Sequence, residues 1–324
     1  MDLFWVPPGT KIAPITSAAD RISAARSATD VGGAGDHDGR RVAGNLAASG
    51  AVAPSFFSFI TSDGVRLNGW MIRPPDFDPT ARYPVLLYTY GGPGSQTVTD
   101  AWQGTRYLWH QSLAAQGYIV ASVDNRGTGG RGRDFKNLVY RDLGRWEAND
   151  QIEAARHLAS LPYVDGGRIG IWGWSYGGYL SAMSLMKGGS IFRAGISVAP
   201  VTDWRLYDTI YTERYMLTPQ QNPEGYQRSA PATHAAGLES EFLLVHGTLD
   251  DNVHFQNSEI LINALVAANQ PCDRPSPSTS GARAPRARSG SPRRVDAKPL
   301  ITVSGVRSSC DAVARNRVFA SSAC

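Results

Sequence analysis

Along the middle of the chain, short apolar runs without a polar face alternate with longer segments of helical period. Residues 83–90, 119–124, 168–172, 194–199 and 242–246 are such runs, the pattern of strands covered on both sides. Helical segments at 106–116, 146–161, 179–186 and 256–268 supply the crossovers, so the pattern predicts an α/β fold with a doubly wound, mostly parallel sheet. Ahead of it, residues 56–60 and 65–72 flank Asp63-Gly64, a hairpin signal.

Both ends differ from this middle. Residues 1–53 are rich in Ala, Gly, Asp and Arg and carry no sustained period, which predicts a poorly structured N-terminal region before a domain at 54–272. Beyond Cys272 the chain turns to Pro, Ser, Ala, Gly and Arg, predicting a disordered tail over 273–324 that stays off the sheet. The formal charge of +4 is concentrated there. The tail holds nine Arg and one Lys against three Asp, a net +7, which leaves −3 for residues 1–272. The basic balance therefore does not mark the domain as nucleic-acid binding, and the tail has only Phe319 for base stacking, so no nucleic-acid partner is expected. Cys272, Cys310 and Cys324 all sit at or past the boundary, so the domain has no thiolate set; neither a metal nor a cofactor is expected. No apolar stretch approaches the roughly 20 residues that span a bilayer, and the start has neither the basic nor the apolar region of a signal peptide, so no membrane partner is expected and the compartment is not legible.

The chemistry begins with Gly173-Trp174-Ser175-Tyr176-Gly177-Gly178, a G-x-S-x-G between a predicted strand and a predicted helix. That is the context of a nucleophile elbow in an α/β-hydrolase fold, where a strained turn lifts the serine hydroxyl above the sheet and small neighbours let two backbones approach. The oxyanion needs donors: the Tyr176 amide is one, and the turn Thr89-Tyr90-Gly91-Gly92-Pro93-Gly94 offers the Tyr90 phenol. The acid follows the serine in chain order, and Asp250 and Asp251 after residues 242–246 are candidates for it or for simple helix-start acids.

Five blocks extend these motifs. They are Tyr88-Thr89-Tyr90-Gly91-Gly92-Pro93, Asp124-Asn125-Arg126-Gly127, the elbow through Tyr179, Tyr211-Thr212-Glu213-Arg214-Tyr215-Met216, and His246-Gly247-Thr248-Leu249-Asp250-Asp251-Asn252-Val253-His254-Phe255. In this order they resemble the catalytic domain of the prolyl oligopeptidase family of serine peptidases. The resemblance implies Ser175 as nucleophile, Asp250 as the triad acid, and the Tyr90 hydroxyl with the Tyr176 amide as the oxyanion hole. It also implies a proline pocket of Val201, Trp204, Tyr207, Tyr211 and Val253 with Asn252 beside a peptide substrate. Members of the family are often homodimers. Read without it, Trp204, Tyr207 and Tyr211 lie at helical spacing and suit a core stripe equally well.

The departures from that pattern bear on activity. The family's triad histidine lies downstream of the acid, and this chain has no histidine after His254. His37, His110 and His157 precede the serine, His234 precedes the acid block, and His246 and His254 fall inside it at non-catalytic positions. Composition, charge and cysteine content change together near residues 270–273, as a reading-frame shift would make them, so the hydrolase fold is expected to be incomplete at its C-terminal end. Residues 1–53 cannot form the family's β-propeller, whose paired acids grip a substrate's amino terminus, so removal of dipeptides does not follow from these residues. Three rival readings remain: an esterase of the same fold, a catalytically dead remnant or binding protein, and a nucleotide-binding domain. The last rests on Gly127-Thr128-Gly129-Gly130-Arg131-Gly132 alone, a lone G-x-G-x-x-G.

Overall fold

The computed structural model describes residues 51–101, 103–268 and the strand at 300–304. Most of the tail and of residues 1–53 lies outside these. The described chain starts slightly earlier than the sequence boundary, because Val52 is tied to the first helix: its amide donates to Gln111 Oε1 and its carbonyl accepts from Gln111 Nε2 and the Tyr107 hydroxyl.

One sheet in the order β1-β2-β4-β3-β5-β6-β7-β8 organises the domain. The hairpin β1 (Ser55–Ile60) and β2 (Arg66–Ile72) turns at Gly64, whose φ of 84° suits glycine. β2 runs antiparallel to β4 (Ile119–Asp124). From β4 onward all pairings are parallel, through β3 (Tyr83–Tyr88), β5 (Val164–Trp174), β6 (Ala194–Val198) and β7 (Glu241–Gly247). The crossovers are α1 (Thr105–Ala114), the short α2 (Arg133–Asn137), α3 (Arg145–Ala159), α4 (Tyr176–Gly188) and the shorter α5 (Thr209–Met216) and α6 (Pro223–Arg228); α7 (Gln256–Ala268) follows β7. This is a mostly parallel α/β-hydrolase sheet, as the apolar runs predict. None of the helices among the described residues is long and apolar enough to cross a membrane.

Alternation along the strands divides the core into two faces. Val85, Leu87, Ile119, Ala121, Val123, Ile169 and Ile171 pack with Ile152 and Leu158 of α3, Leu185 of α4 and Leu261 and Leu265 of α7. On the opposite face Leu86, Tyr88, Trp70, Ile72 and Val120 pack under Leu113 and Ala114 of α1. This second face is covered unevenly. Register places Trp172, Ile196 and Leu243 side by side, then Trp174, Val198 and Val245, and all six are only partly buried.

The tail departs from its expectation at one segment. Leu300–Ser304 forms β8, parallel to β7 with Leu243 opposite Leu300 and Gly247 opposite Ser304. A β7 edge offers a row of free N–H and C=O groups, and Leu-Ile-Thr-Val-Ser is rich in strand-forming residues, so backbone pairing outweighs the polar composition around it.

Candidate active site

The elbow is built by close backbone approach. Ser175 sits between β5 and α4 at φ 57°, ψ −118°, outside the conformations ordinary residues prefer. Its amide donates to Val198 O and its carbonyl accepts from Tyr179 N, both at 2.9 Å, so the turn is held on either side. A Cβ on Gly173 would lie 2.4 Å from Thr89 O, one on Gly177 2.2 Å from the same oxygen, and one on Gly178 2.4 Å from Val198 O. Only glycine fits at these three positions, which is the physical content of the motif.

Asp250 lies on the loop after β7, two strands from the elbow at the same end of the sheet. Strand spacing sets the separation of the two strand ends at about 10 Å, the room an intervening base must bridge. Asp250 Oδ1 accepts from the amides of Asn252 and Val253, each at 3.0 Å, while Oδ2 is 3.6 Å from His246 Nε2. Asp251 is exposed, whereas Asp250 is buried and aimed by its loop, which separates two carboxylates the sequence leaves equivalent.

None of the described histidines is set up as the base. His246 is buried, with Nε2 2.8 Å from Val253 O and Nδ1 2.6 Å from Ser258 Oγ, so both ring nitrogens are committed. Its burial pushes the imidazole pKa down. His110 is enclosed by Trp70, Tyr88, Trp109 and Trp172, and burial holds its pKa at about 3. His157 stacks on Phe59, His234 bonds to Arg228 O, and His254 is exposed. His37 lies outside the described residues.

Around the elbow the expected oxyanion and pocket residues come together. Tyr176, Val201, Trp204 and Val253 belong to one buried cluster, with Tyr90, Tyr207 and Tyr211 packed against it. The Tyr90 ring centroid is 6.2 Å from that of Tyr176, and the Trp204 centroid is 5.5 Å from Tyr176 and 5.9 Å from Tyr211. Helical spacing misplaces the aromatic stripe: Trp204 starts a 3-10 turn, Tyr207 ends it, and Tyr211 lies on α5. Thr202 fixes the loop that carries Val201 and Trp204, its amide donating to Asn257 Oδ1 and its hydroxyl to Asn257 O at the start of α7. Asn252 is exposed at the rim, accepting the Tyr207 hydroxyl at 3.1 Å. The arrangement brings together a serine on a strained turn, the amide of the next residue, and an aromatic cluster that the Tyr90 phenol packs against.

Sequence reasoning missed the supports beneath. Glu147 is fully buried, its Oε1 accepting the Tyr176 hydroxyl at 2.8 Å and its Oε2 the Gly144 amide at 3.0 Å. Burial raises its pKa to about 7. Arg126 lies between Asp150, which it meets through Nε and a second guanidinium nitrogen, and Asp63. The only signal for these was acidic and amide residues recurring at helical spacing inside α3, which reads equally as a solvated face.

The glycine run after β4 is occupied by backbone. Gly127 N donates to Phe135 O, Thr128 N to Asn125 O and Gly129 N to Ser95 O. Those amides are unavailable to a phosphate, and the five-residue α2 that follows is too short to serve as a dinucleotide-site helix. Among the described residues no group of three or more His, Cys, Asp or Glu could hold a metal ion.

The prolyl oligopeptidase family profile matches residues 105–274. Among curated proteins the chain is similar to the probable dipeptidyl-aminopeptidase B of Ajellomyces capsulatus (strain H88), 52% identical over 217 residues that make up 66% of this chain and 23% of that protein. It is likewise similar to the probable dipeptidyl-aminopeptidase B of Talaromyces marneffei, 49% identical over 222 residues, 67% of this chain and 24% of that protein. Among solved structures, dipeptidyl peptidase 4 of Porphyromonas gingivalis matches with a TM-score of 0.65 and 48% identity, over 68% of this chain and 31% of that one. A putative dipeptidyl aminopeptidase IV of Bacteroides ovatus matches with a TM-score of 0.67 and 37% identity, over 70% and 32%. The chain thus spans about a quarter of the length of these curated relatives.

Proposed function

The chain belongs to the prolyl oligopeptidase family of serine peptidases, and on that premise we propose that residues 54–272 carry the catalytic half of a dipeptidyl-peptidase-like enzyme that cleaves short peptides after proline, and less well after alanine. Ser175 Oγ attacks the carbonyl carbon and forms an acyl-enzyme, and the amine half of the peptide leaves with a proton supplied by the base. The Tyr176 amide and Tyr90 hydroxyl receive the oxyanion, and the Trp204, Tyr207 and Tyr211 rings with Val201 and Val253 receive the proline ring. One observation carries this reading: Tyr176, directly after the strained Ser175 turn, belongs to an aromatic cluster that contains every residue expected of the pocket except the rim residue Asn252.

The same reading makes this chain a poor catalyst. The sequence has no histidine after His254, both nitrogens of His246 are committed, and none of the described histidines is bonded to Ser175, so the described residues hold no acceptor for the Ser175 proton. Removal of one triad member costs up to roughly a millionfold in turnover. That loss favours a second reading, a catalytically silent remnant of the same fold. The test is hydrolysis of a glycyl-prolyl chromogenic substrate by this chain and by a version whose reading frame is restored after Gln270. The restored version is expected to be active in a Ser175-dependent way, with this chain nearly inert. Strong Ser175-dependent activity in the unrestored chain would show that one of its histidines reaches Ser175; inactivity of a restored, folded version carrying a downstream histidine would sink the peptidase reading.

A further inference from the structure

Helix α3 buries Glu147, Asp150 and Gln151 completely, three polar residues at positions i, i+3 and i+4 on one face. An apolar face would pack there without the cost of removing two carboxyl groups and an amide from water, so the partners of these groups carry the explanation. Those partners converge on the two loops beside Ser175. Glu147 Oε1 accepts the hydroxyl of Tyr176, the residue after the nucleophile. Its other oxygen accepts the Gly144 amide and fixes the carboxylate to the start of its own helix. One turn further along, Gln151 Nε2 donates to Val123 O and to Asn125 Oδ1, each at 3.0 Å. Asn125 Nδ2 in turn donates to Gly91 O at 3.0 Å, directly after Tyr90. The fit at Gly91 is tight: a Cβ there would lie 2.4 Å from Asn125 Oδ1. Between the two, Asp150 accepts from the Arg126 amide at 2.7 Å and from its guanidinium, locking the segment that carries Asn125.

We propose that the polar face of α3 is the template of the oxyanion hole, with Glu147 positioning the Tyr176 donor and Gln151, through Asn125, positioning the Tyr90 donor. The proposal rests on the peptidase reading for what those two donors do. Both are positioning residues, since neither is assigned a contact with substrate. Two loops after different strands, β3 and β5, must be held in one geometry to a fraction of an ångström, and a single rigid helix gripping both achieves it.

The test uses this chain and a fluorophosphonate probe, whose phosphoryl oxygen enters the oxyanion hole as Ser175 is labelled. Glu147→Ala and Tyr176→Phe are each expected to slow labelling at least tenfold, and the double variant to be no slower than the slower single. Glu147→Gln, whose amide can still accept from Gly144 and donate to the Tyr176 oxygen, is expected to stay within threefold of the parent. Gln151→Met is expected to slow labelling at least tenfold. Ile152→Ala, on the same helix but facing the core, should lower the melting temperature and leave the labelling rate unchanged. Amide exchange is read alongside at Ser175 and Gly94, whose N–H groups are bonded to Val198 O and Gly127 O. It should rise at least tenfold at Ser175 in Glu147→Ala and at Gly94 in Gln151→Met, with β1 and β2 unchanged. Labelling that persists in Ser175→Ala counts against the peptidase reading, whereas labelling absent from the parent is what the missing base leads one to expect, and in either case the template is decided by exchange alone. Parent-like exchange at both amides overturns it, as does a labelling loss in Ile152→Ala equal to that in Glu147→Ala.

Discussion

Among the described residues, the β4-β3-β5 part of the sheet is covered on both faces, whereas the β6-β7 part is covered on one. In the first, Leu87 and Ile171 pack beneath α3 and α4 while Leu86 and Tyr88 pack beneath α1. In the second, Phe242 and Leu244 join the α7 side of the core, yet Ile196, Val198, Leu243 and Val245 on the opposite face stay partly exposed. The chemistry divides along the same line. Tyr90 and Ser175 on loops of the finished part, and Tyr176 at the start of α4, are each fixed by backbone contacts or buried hydrogen bonds. Asp250, the proposed acid, stands on the other part, where no base is in place among the described residues. In an α/β-hydrolase the base follows the strand and loop beyond the acid, so cover and base come from the same stretch of chain. On the proposed reading both deficits would trace to the composition change near residues 270–273.

The largest expected effect tests the finished part. Gly177→Ala puts a Cβ 2.2 Å from Thr89 O, a backbone atom that cannot yield without moving β3 against β5. Such overpacking is expected to cost about 3 kcal/mol or more, enough to shift a chemical denaturation midpoint strongly or abolish folding. Gly64→Ala is the contrast, since that glycine has positive φ but open space around it. Its cost is expected near 1 kcal/mol, the backbone strain alone. Equal losses in the two variants would show that the elbow is not set by steric approach.

The difference between the two parts also explains what the sequence could reveal. Strands at 119–124 and helix 256–268 match the structure to the residue, because a continuous apolar run or a clear helical period needs no knowledge of the partner. The elbow was equally visible, because its glycines are demanded by local backbone approach. Strand β8 was not, since its pairing depends on the exposed edge of β7 rather than on the composition around it. Helix α5 was hidden for a related reason: Trp204, Tyr207 and Tyr211 are spaced like one helix, but a break at Tyr207 and the Asp208 cap split them between two elements. The supporting residues Glu147 and Gln151 were invisible because a polar side chain at helical spacing looks the same whether its partner is water or a buried protein group.

A second expectation concerns pH and the support beneath the elbow. The Glu147 carboxyl titrates near 4.5 when exposed in the unfolded chain and at about 7 when buried in the fold. Between those values the folded state holds a proton the unfolded state has lost, so this group makes stability fall as pH rises from 4.5 to 7, with no further fall above. The full decline is about 3 kcal/mol. Asp150, raised by burial, acts in the same direction, and His246, lowered by burial, acts in the opposite one. Comparing Glu147→Gln with the parent cancels both. Urea denaturation at pH 5 and pH 8 is expected to show the variant losing about 3 kcal/mol less than the parent between the two conditions; parallel curves would mean that Glu147 is ionised across the whole range.

The smallest effect is expected where the described residues leave the sheet partly exposed. Leu87 and Leu243 are both strand leucines, but Leu87 is fully buried between β4 and β5 whereas Leu243 lies on the partly exposed face beside Ile196. Deleting a leucine side chain from a closed core removes its transfer energy and leaves a cavity, so Leu87→Ala is expected to cost about 3 kcal/mol or more. At Leu243 part of the side chain already meets water and the space left behind opens to solvent, so neither contribution is complete, and about 1 kcal/mol is expected. The two substitutions delete the same atoms from the same kind of element, which leaves cover as the variable. Urea midpoints of both variants read the contrast directly. Equal costs of about 3 kcal/mol would place a covering element over Leu243 in solution and remove the asymmetry between the two parts of the sheet. A cost at Leu243 near 1 kcal/mol in this chain, rising toward that of Leu87 when the reading frame is restored after Gln270, would show that the cover and the base arrive together.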